Sequence, residues 1–478
     1  MNKSIPILAD RIITSVSGQK YKLRDVAGYG SQGVVYKETT GKYMVKFYYP
    51  SGSAALDKDV MDRLLYIKNV RTPKNFVSVI DVIDSPYIGY VMEKVEGYKP
   101  LNSYLIPPQN GSFSEWYNVG LGFRERLFVG YIIAKAFGEL EAENLSYCDI
   151  SGNNILVKIE KNTAAVKMID IDNIYTAGRG KASVLGTPRY IAPEVIAGQK
   201  NPDVLSDNYS LAVILFELLR VGHPYISDNV LDGTPDDEKA ALAGKFGYVT
   251  EENSASMLPA DIVFTEKLKE LFRKCFEDGK QNRLLRPTAK EFEYALLEAS
   301  NKLIRCPSCG AWHYARKTGR DMMSCPWCDG PSNVRARVNF YDCLYHGPDY
   351  RNACLIGGAK RGKLVNSYIL RDGRNFIKGL YILRYDDAAN GKSLADNYMA
   401  IVKDSAGYHV YNQFSKDGIY LKRYGSEKYE KIENKKENLL HNGDELFLEI
   451  GGTQGTGIEC GGSQYSFIRT ARFMEVKK

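Results

Sequence analysis

The chain has 478 residues, 44% of them hydrophobic and 25% charged, with 64 basic against 57 acidic side chains. That is material for about two to four domains at roughly 100–200 residues each, and a net charge of +7 over this length does not argue for nucleic acid or membrane. The most apolar run, Leu211 to Leu219, falls far short of the ~20 residues that cross a bilayer and predicts a buried helix. No charged-then-apolar leader opens the sequence, so a cytoplasmic chain is the expectation. Of the nine cysteines, Cys306, Cys309, Cys325 and Cys328 form two tight pairs and five are scattered. This suits a reducing compartment with one metal site, not a disulfide framework.

Residues 21–50 alternate apolar and polar side chains around Gly-rich turns and predict strands. Residues 53–69 carry helical periodicity, with Leu56, Val60, Met61, Leu64 and Leu65 on one stripe. Two further strands are predicted over 76–95, and helical patterns dominate from about 122 to 300. Strands followed by helices predict an α+β architecture with two lobes over residues 1–300. Within it the acidic, turn-rich stretch 227–256 reads as a surface insertion. Residues 301–338 are short, polar and Cys-paired. Residues 339–478 hold short alternating strands, such as Tyr408–Tyr411, and read as all-β.

The residues that carry chemistry come in a fixed order. Gly28-Tyr29-Gly30-Ser31-Gln32-Gly33-Val34-Val35 fits a glycine-rich phosphate loop, because glycine lets backbone approach phosphate oxygens where a side chain would clash. Lys46 follows in the apolar strand Tyr43-Met44-Val45-Lys46-Phe47. A lysine there needs an anion, and nucleotide phosphates would supply one. It also calls for an acid from the next helix. No Glu lies between Glu38 and Glu93, so Asp57, within the apolar stripe, is the favoured partner; Asp62 has the better separation but lies off the stripe. Asp149 and Asn154 then sit five apart before the apolar strand Ile155-Leu156-Val157, and a second strand delivers Asp170. Such an Asp can orient a hydroxyl and accept its proton, while the Asn amide oxygen and the second carboxylate take magnesium.

On these residues the chain resembles a eukaryotic-like Ser/Thr protein kinase of the bacterial type over about residues 20–300. The likeness extends through Gly186-Thr187-Pro188-Arg189-Tyr190-Ile191-Ala192-Pro193-Glu194, Ser206-Asp207-Asn208-Tyr209-Ser210-Leu211 and Arg286-Pro287-Thr288. It implies ATP and Mg2+ as cofactors, a protein substrate, and an ion pair between Glu194 and Arg286. It also implies adenine held by the backbone of Glu93 and Val95, with Met92 at the gate of a back pocket and Val35 among the nucleotide-binding residues. Three departures stand out. The family's HRD is Tyr147-Cys148-Asp149, its following lysine is Ser151, and DFG is Asp170-Ile171-Asp172. Loss of the HRD arginine predicts that phosphorylation of the activation segment, whose candidates are Thr176, Ser183 and Thr187, is not the main switch. Loss of the DFG glycine removes a hinge.

Cys306-Pro307-Ser308-Cys309 and Cys325-Pro326-Trp327-Cys328 resemble a zinc ribbon, with four thiolates for a closed structural Zn2+ site and His313 outside it. Seven Lys or Arg against two Asp over 301–338 permit nucleic acid, but a solvated basic face is the reading preferred here. Residues 339–478 resemble a forkhead-associated (FHA) β-sandwich through Asp372-Gly373-Arg374, Tyr411 to Leu421 and Leu440 to Leu448. Asp396 stands where that family binds phosphate through Ser, which argues against phosphopeptide reading. The expected activity is ATP- and Mg-dependent transfer to Ser or Thr of proteins, with the rear modules regulating or targeting it. A partner phosphatase or regulatory protein is implied by the resemblance alone. Two alternatives stay open: a nucleotide-binding pseudokinase scaffold, and a nucleic-acid-associated module working through the basic ribbon.

Overall fold

The computed structural model describes residues 8–160, 163–176, 186–315, 323–332, 334–346, 360–382, 397–412, 418–433, 438–448, 458–460 and 463–475. The chain divides into two compact units, residues 1–296 and 297–478. Among the described residues no helix is long and apolar enough to cross a membrane.

The first unit begins with strands β1 (Ile12–Thr14), β2 (Lys20–Tyr29), β3 (Gly33–Glu38), β4 (Tyr43–Tyr48), β5 (Val79–Ile83) and β6 (Gly89–Glu93), with helix α1 (Ala54–Asn69) inserted between β4 and β5. They form one sheet in the order β1-β2-β3-β4-β6-β5, antiparallel at every pairing. Alternation places Leu23, Val34, Tyr36, Val45, Phe47 and Val91 in one buried cluster. α1 forms over the predicted span, but its buried residues are Leu64 and Ile67, and Leu56 in the first turn is 55% exposed. The later turns define the inner face, where Lys68 Nζ reaches Asp81 of β5 at 2.8 Å. Asp81 is buried and also accepts from the hydroxyls of Ser15 (2.6 Å) and Ser17 and from the backbone N–H of Val82 (2.9 Å). Burial alone would raise this carboxyl. Lys68 and the two serines outweigh that effect and lower it from 3.8 to about 2.

After β6 the chain runs through β7 (Lys99–Pro100) into α2 (Asn102–Leu105), α3 (Phe113–Val119) and α4 (Phe123–Ala142). Two small ladders follow: β8 (Leu145–Ser146) pairs with β11 (Tyr175–Thr176), and β9 (Ile155–Glu160) pairs with both β10 (Thr163–Met168) and β7. Then come α5 (Pro193–Ile196) and α6 (Val204–Arg220). The apolar run 211–219 lies inside α6, where every residue from Ser206 to Arg220 is buried. Asp203 caps this helix, accepting from Ser206 N at 3.1 Å. The stretch 227–256 is mostly exposed or half-buried and has regular structure of its own. It folds into helices Asp228–Leu231 and Pro235–Leu242 and buries Val230, Ala241 and Val249. Asp228, Asp236, Asp237 and Glu238 occupy the first turns of these helices, the ends where negative charge is favourable. Arg286 makes two 2.7 Å bonds to the two carboxylate oxygens of Glu194 and further bonds to the carbonyls of Leu205 and Gly279.

The second unit opens with two short hairpins, Leu303–Arg305 with Trp312–Tyr314 and Met323–Ser324 with Pro331–Ser332. A larger sheet orders Lys360–Leu370, Ala336–His346, Ser463–Glu475, Glu445–Leu448, Ile419–Lys422 and Glu430–Lys431, with Ile458–Cys460 paired to the third of these. A four-stranded sheet orders Gly373–Lys378, Asn397–Lys403, Tyr408–Tyr411 and Asn438–Leu440. Tyr408 of the second sheet meets Phe473 of the first, ring centroids 5.3 Å apart. Arg371 ties the β region to the start of this unit by donating to the carbonyls of Leu303 in the first hairpin (2.9 Å) and of Ser300 in the helical residues before it (2.8 Å).

Two stability predictions follow from these buried pairs. Replacing Arg286 with Met removes both short bonds to Glu194 and leaves it only the longer 3.7 Å contact to Arg283, which should cost about 3 kcal/mol in urea unfolding; a loss below about 1 kcal/mol would contradict a buried structural pair. Because the folded carboxyl of Asp81 titrates below its ordinary value, its contribution is present above pH 3.8 and fades as pH falls toward about 2. Asp81→Asn should therefore be destabilised relative to wild type at pH 7 by about 1.5–3 kcal/mol, and urea melts at falling pH should show the two proteins converging.

Candidate active site

The turn between β2 and β3 is closed by Gly30 N donating to Gly33 O at 2.8 Å, with Gly28 opposite Val35 in register. A Cβ on Gly28 would meet nothing within 4 Å, and one on Gly30 only the Gly33 carbonyl at 3.7 Å, so both leave a bare backbone surface. A Cβ on Gly33 would lie 1.9 Å from the Phe47 carbonyl. Gly33 is thus demanded by the close approach of β4, independently of any ligand. Val35 pairs with Lys46, and Lys46 with Tyr90. At the other end of β6, Met92 is half-buried opposite Met44 and Glu93 is exposed opposite Tyr43. Val95 is half-buried in the short link that leaves the sheet.

The segment between β8 and β9 carries Asp149 and Asn154. Asn154 Nδ2 donates to the Asp149 carboxylate at 3.0 Å and to its carbonyl at 2.9 Å. The other carboxylate oxygen accepts from Thr187 Oγ1 at 2.8 Å. Asp149 is therefore oriented from both sides, and Thr187 is occupied in doing so. The backbone beneath is pinned by buried Asp207 of α6, which accepts from Tyr147 N (2.5 Å) and Cys148 N (3.1 Å). Burial pushes the Asp207 carboxyl up to about 7 against the pull of those two N–H groups. Cys148 is buried with φ 68°. Tyr147 packs its ring on Phe76 and Phe137 and donates its hydroxyl to the Ile169 carbonyl. Of the other candidate phosphorylation residues, Thr176 is hydrogen-bonded to Tyr66 Oη at 2.9 Å, and Ser183 lies outside the described residues.

Lys46 is buried, and its Nζ lies 3.3 Å from Asp170 Oδ1 and 3.1 Å from Asp172 Oδ2. The expected partner is corrected here. Asp57 accepts from Ser51 Oγ at 2.6 Å, in the first turn of α1, and Asp62 is exposed. Neither makes an ion pair with Lys46, because the segment after β10 brings carboxylates to the lysine directly. Asp172 is fully buried and also accepts from the hydroxyls of Tyr48 and Tyr90, the latter at 3.2 Å. Burial would raise the Asp172 carboxyl, but Lys46 and Tyr48 hold it below the ordinary carboxylate range. Burial raises Asp170; Lys46 opposes this, and the charge of Asp172 adds to it. Burial works against the Lys46 charge as well, yet the two aspartates raise its pKa. Asp170 takes φ 56°, the left-handed region that non-glycine residues seldom enter. Asp172 and its tyrosines were missed from sequence. The available signal was an acid in place of the DFG glycine, in a chain whose helix at 53–69 holds no Glu.

In the second unit the Sγ atoms of Cys306, Cys309, Cys325 and Cys328 all lie within 4.8 Å of one another, with Cys306–Cys328 and Cys309–Cys325 each at 3.7 Å. A tetrahedral zinc with ~2.3 Å bonds has sulfur–sulfur edges of about 3.8 Å, so this set fits that ion. Burial would raise the Cys306 thiol, but the N–H groups of Cys309 and Ser308 lower it to about 6. His313 bonds instead to the Tyr314 carbonyl at 2.8 Å.

Comparison with known proteins fits this geometry. The chain is 27% identical over 218 residues to myosin light chain kinase A of Dictyostelium discoideum, covering 44% of this chain and 70% of that protein. It is 28% identical to serine/threonine-protein kinase ATG1b of Arabidopsis thaliana over 36% of this chain and 23% of that one. Calcium-dependent protein kinase 20 of Oryza sativa subsp. japonica is 27% identical over 42% and 36% respectively. The matches thus span well under two thirds of the latter two relatives. The pattern that defines the protein kinase domain matches residues 21–295, more than half of the chain, and the chain belongs to the protein kinase domain family.

Proposed function

We propose that the chain transfers the γ-phosphate of ATP, in the presence of magnesium, to Ser or Thr hydroxyls of proteins. The observation that carries this reading is the fixed carboxylate of Asp149, held by Asn154 and Thr187, in the same unit as the Lys46–Asp170 pair. ATP bound with magnesium supplies the phosphoryl group and most of the neutralising charge. Asp149 orients the attacking hydroxyl and accepts its proton. Lys46 holds the phosphates, and the bare backbone at Gly28 and Gly30 covers them. Asn154 directs its amide nitrogen to Asp149, which leaves the amide oxygen to join Asp170 on the metal. The backbone of Glu93 and Val95 would hold adenine beside Met92. The Ser/Thr preference follows the names of the relatives. The departures Cys148 and Asp172 favour one other reading, a nucleotide-binding scaffold without turnover.

For the second unit we propose a structural zinc held by Cys306, Cys309, Cys325 and Cys328. The two β-sheets behind it are consistent with an FHA-like sandwich. Its phosphate-binding position, Asp396, lies outside the described residues, as do Arg316, Lys317 and Arg320 of the basic ribbon. Regulation or targeting of the kinase unit is the proposed role of this region, with a phosphatase or other regulatory protein as the expected partner.

Labelled ATP with magnesium should yield labelled protein, in the chain itself or in a generic basic substrate. Asp149→Asn and Asp170→Asn should each remove that transfer by about 10²-fold or more. Binding of ATP by wild type without any transfer would move the account to the scaffold. Chelation should lower the melting temperature of the second unit and release about one zinc per chain, with Cys306→Ser doing the same; no metal by elemental analysis would refute the zinc site.

A further inference from the structure

A lysine that must present its ammonium to phosphate cannot be left to choose its own rotamer. In this molecule the helix that follows its strand does not supply the restraint. α1 carries Asp57, Asp59 and Asp62 and no Glu; Asp57 is bound to Ser51, and Asp59 and Asp62 are exposed. The group that α1 does send inward is a donor. Arg63 Nε gives a 2.8 Å hydrogen bond to the backbone carbonyl of Asp172. The carboxylate of that same residue bonds to Lys46 at 3.1 and 3.3 Å. It is fixed by hydroxyls from β4 (Tyr48) and β6 (Tyr90), the strands that carry and flank the lysine.

We propose that Asp172 is the positioning residue for Lys46, replacing an acid on α1. The lysine restraint then belongs to the same short segment, 170–173, as the magnesium carboxylate Asp170. The two carboxylates divide the work. When Asp170 turns to a metal, Lys46 keeps Asp172, which has no exposed surface and is saturated by protein donors. Lysine alignment then follows the 170–173 segment. α1 reaches it through Arg63, which bonds a carbonyl and offers Lys46 no acid, so a carboxylate on this helix is not needed for phosphate alignment.

This inference rests on the phosphoryl-transfer reading, and the test separates the two. On the full chain, kcat, KM for ATP and the Kd of a magnesium–ATP analogue would be measured for wild type, Asp172→Asn and the triple variant Asp57→Asn/Asp59→Asn/Asp62→Asn, with thermal melts alongside. Asn keeps the shape of Asp and an acceptor for the tyrosines. Asp172→Asn should lose about 100-fold in kcat, counted per analogue-binding site, because the lysine is no longer held in place; a purely structural role would reduce the number of sites and leave kcat per site unchanged. The triple variant should stay within about twofold of wild type. An Asp172→Asn protein with wild-type kcat per site, or a triple variant that loses as much, overturns the proposal. Should Asp172→Asn fail to fold, the triple variant decides in the same way: retention supports Asp172 and a large loss restores the helix acid. A wild type without transfer would defeat the kinase reading. The analogue Kd would then test the anchor, expected to weaken about tenfold or more in Asp172→Asn and not in the triple variant.

Discussion

An ammonium group inside a sheet costs several kcal/mol unless an anion meets it there, and in this protein the arrangement of the first unit follows from how Lys46 is satisfied. Two carboxylates converge on it, both from the segment after β10. For them to arrive, that segment must pass close beneath β4 and β6, which Tyr48 and Tyr90 secure by bonding to Asp172. The same segment is tied on its other side, since Ile169 N bonds to the Asn154 carbonyl and Tyr147 to the Ile169 carbonyl. One buried cation thus connects the sheet, Asp170 and the loop of Asp149. The left-handed conformation of Asp170 is one local cost of that connection.

Much of the site was legible because its residues recur in a fixed chain order. Glycine loop, strand lysine, Asp149, Asn154, Asp170, Glu194 and Arg286 each have a place in that order, and Glu194 and Arg286 do meet. What failed was inference about which side chains touch across elements. Asp57 was favoured from helical phase, but phase describes only one helix. The stripe that starts at Leu56 runs on through Leu64 to Ile67, but burial begins only in its later turns, with Leu56 outside and Leu64 and Ile67 inside. Asp172 read as a lost hinge because nothing local tells that a segment 126 positions further along the chain lies against Lys46. Gly33 illustrates a third case. Its motif pointed to phosphate, whereas the Phe47 carbonyl already forbids any side chain there.

The second unit was legible at the level of chemistry and of strand pattern. CxxC spacing brings four thiolates to edges suited to zinc because a two-residue gap turns the chain back on itself. Strand periodicity located Tyr408–Tyr411 and its neighbours. Sheet membership was not readable, because antiparallel pairing depends on partners far apart in sequence: Ser463–Glu475 joins Ala336–His346 from the far end of the unit. Asp444 shows the same dependence. It is a buried acid in a turn, satisfied by Arg423 at 2.7 Å and by the N–H groups of Tyr424 and His441.

The most direct test of the central claim is a crystal structure of the chain with magnesium and a non-hydrolysable ATP analogue. The account predicts that Lys46 Nζ contacts the phosphates while staying within ~4 Å, salt-bridge distance, of Asp172, with Asp170 turned to the metal. A lysine found paired with Asp57 or Asp62 on α1, and Asp172 withdrawn from it, would contradict the account.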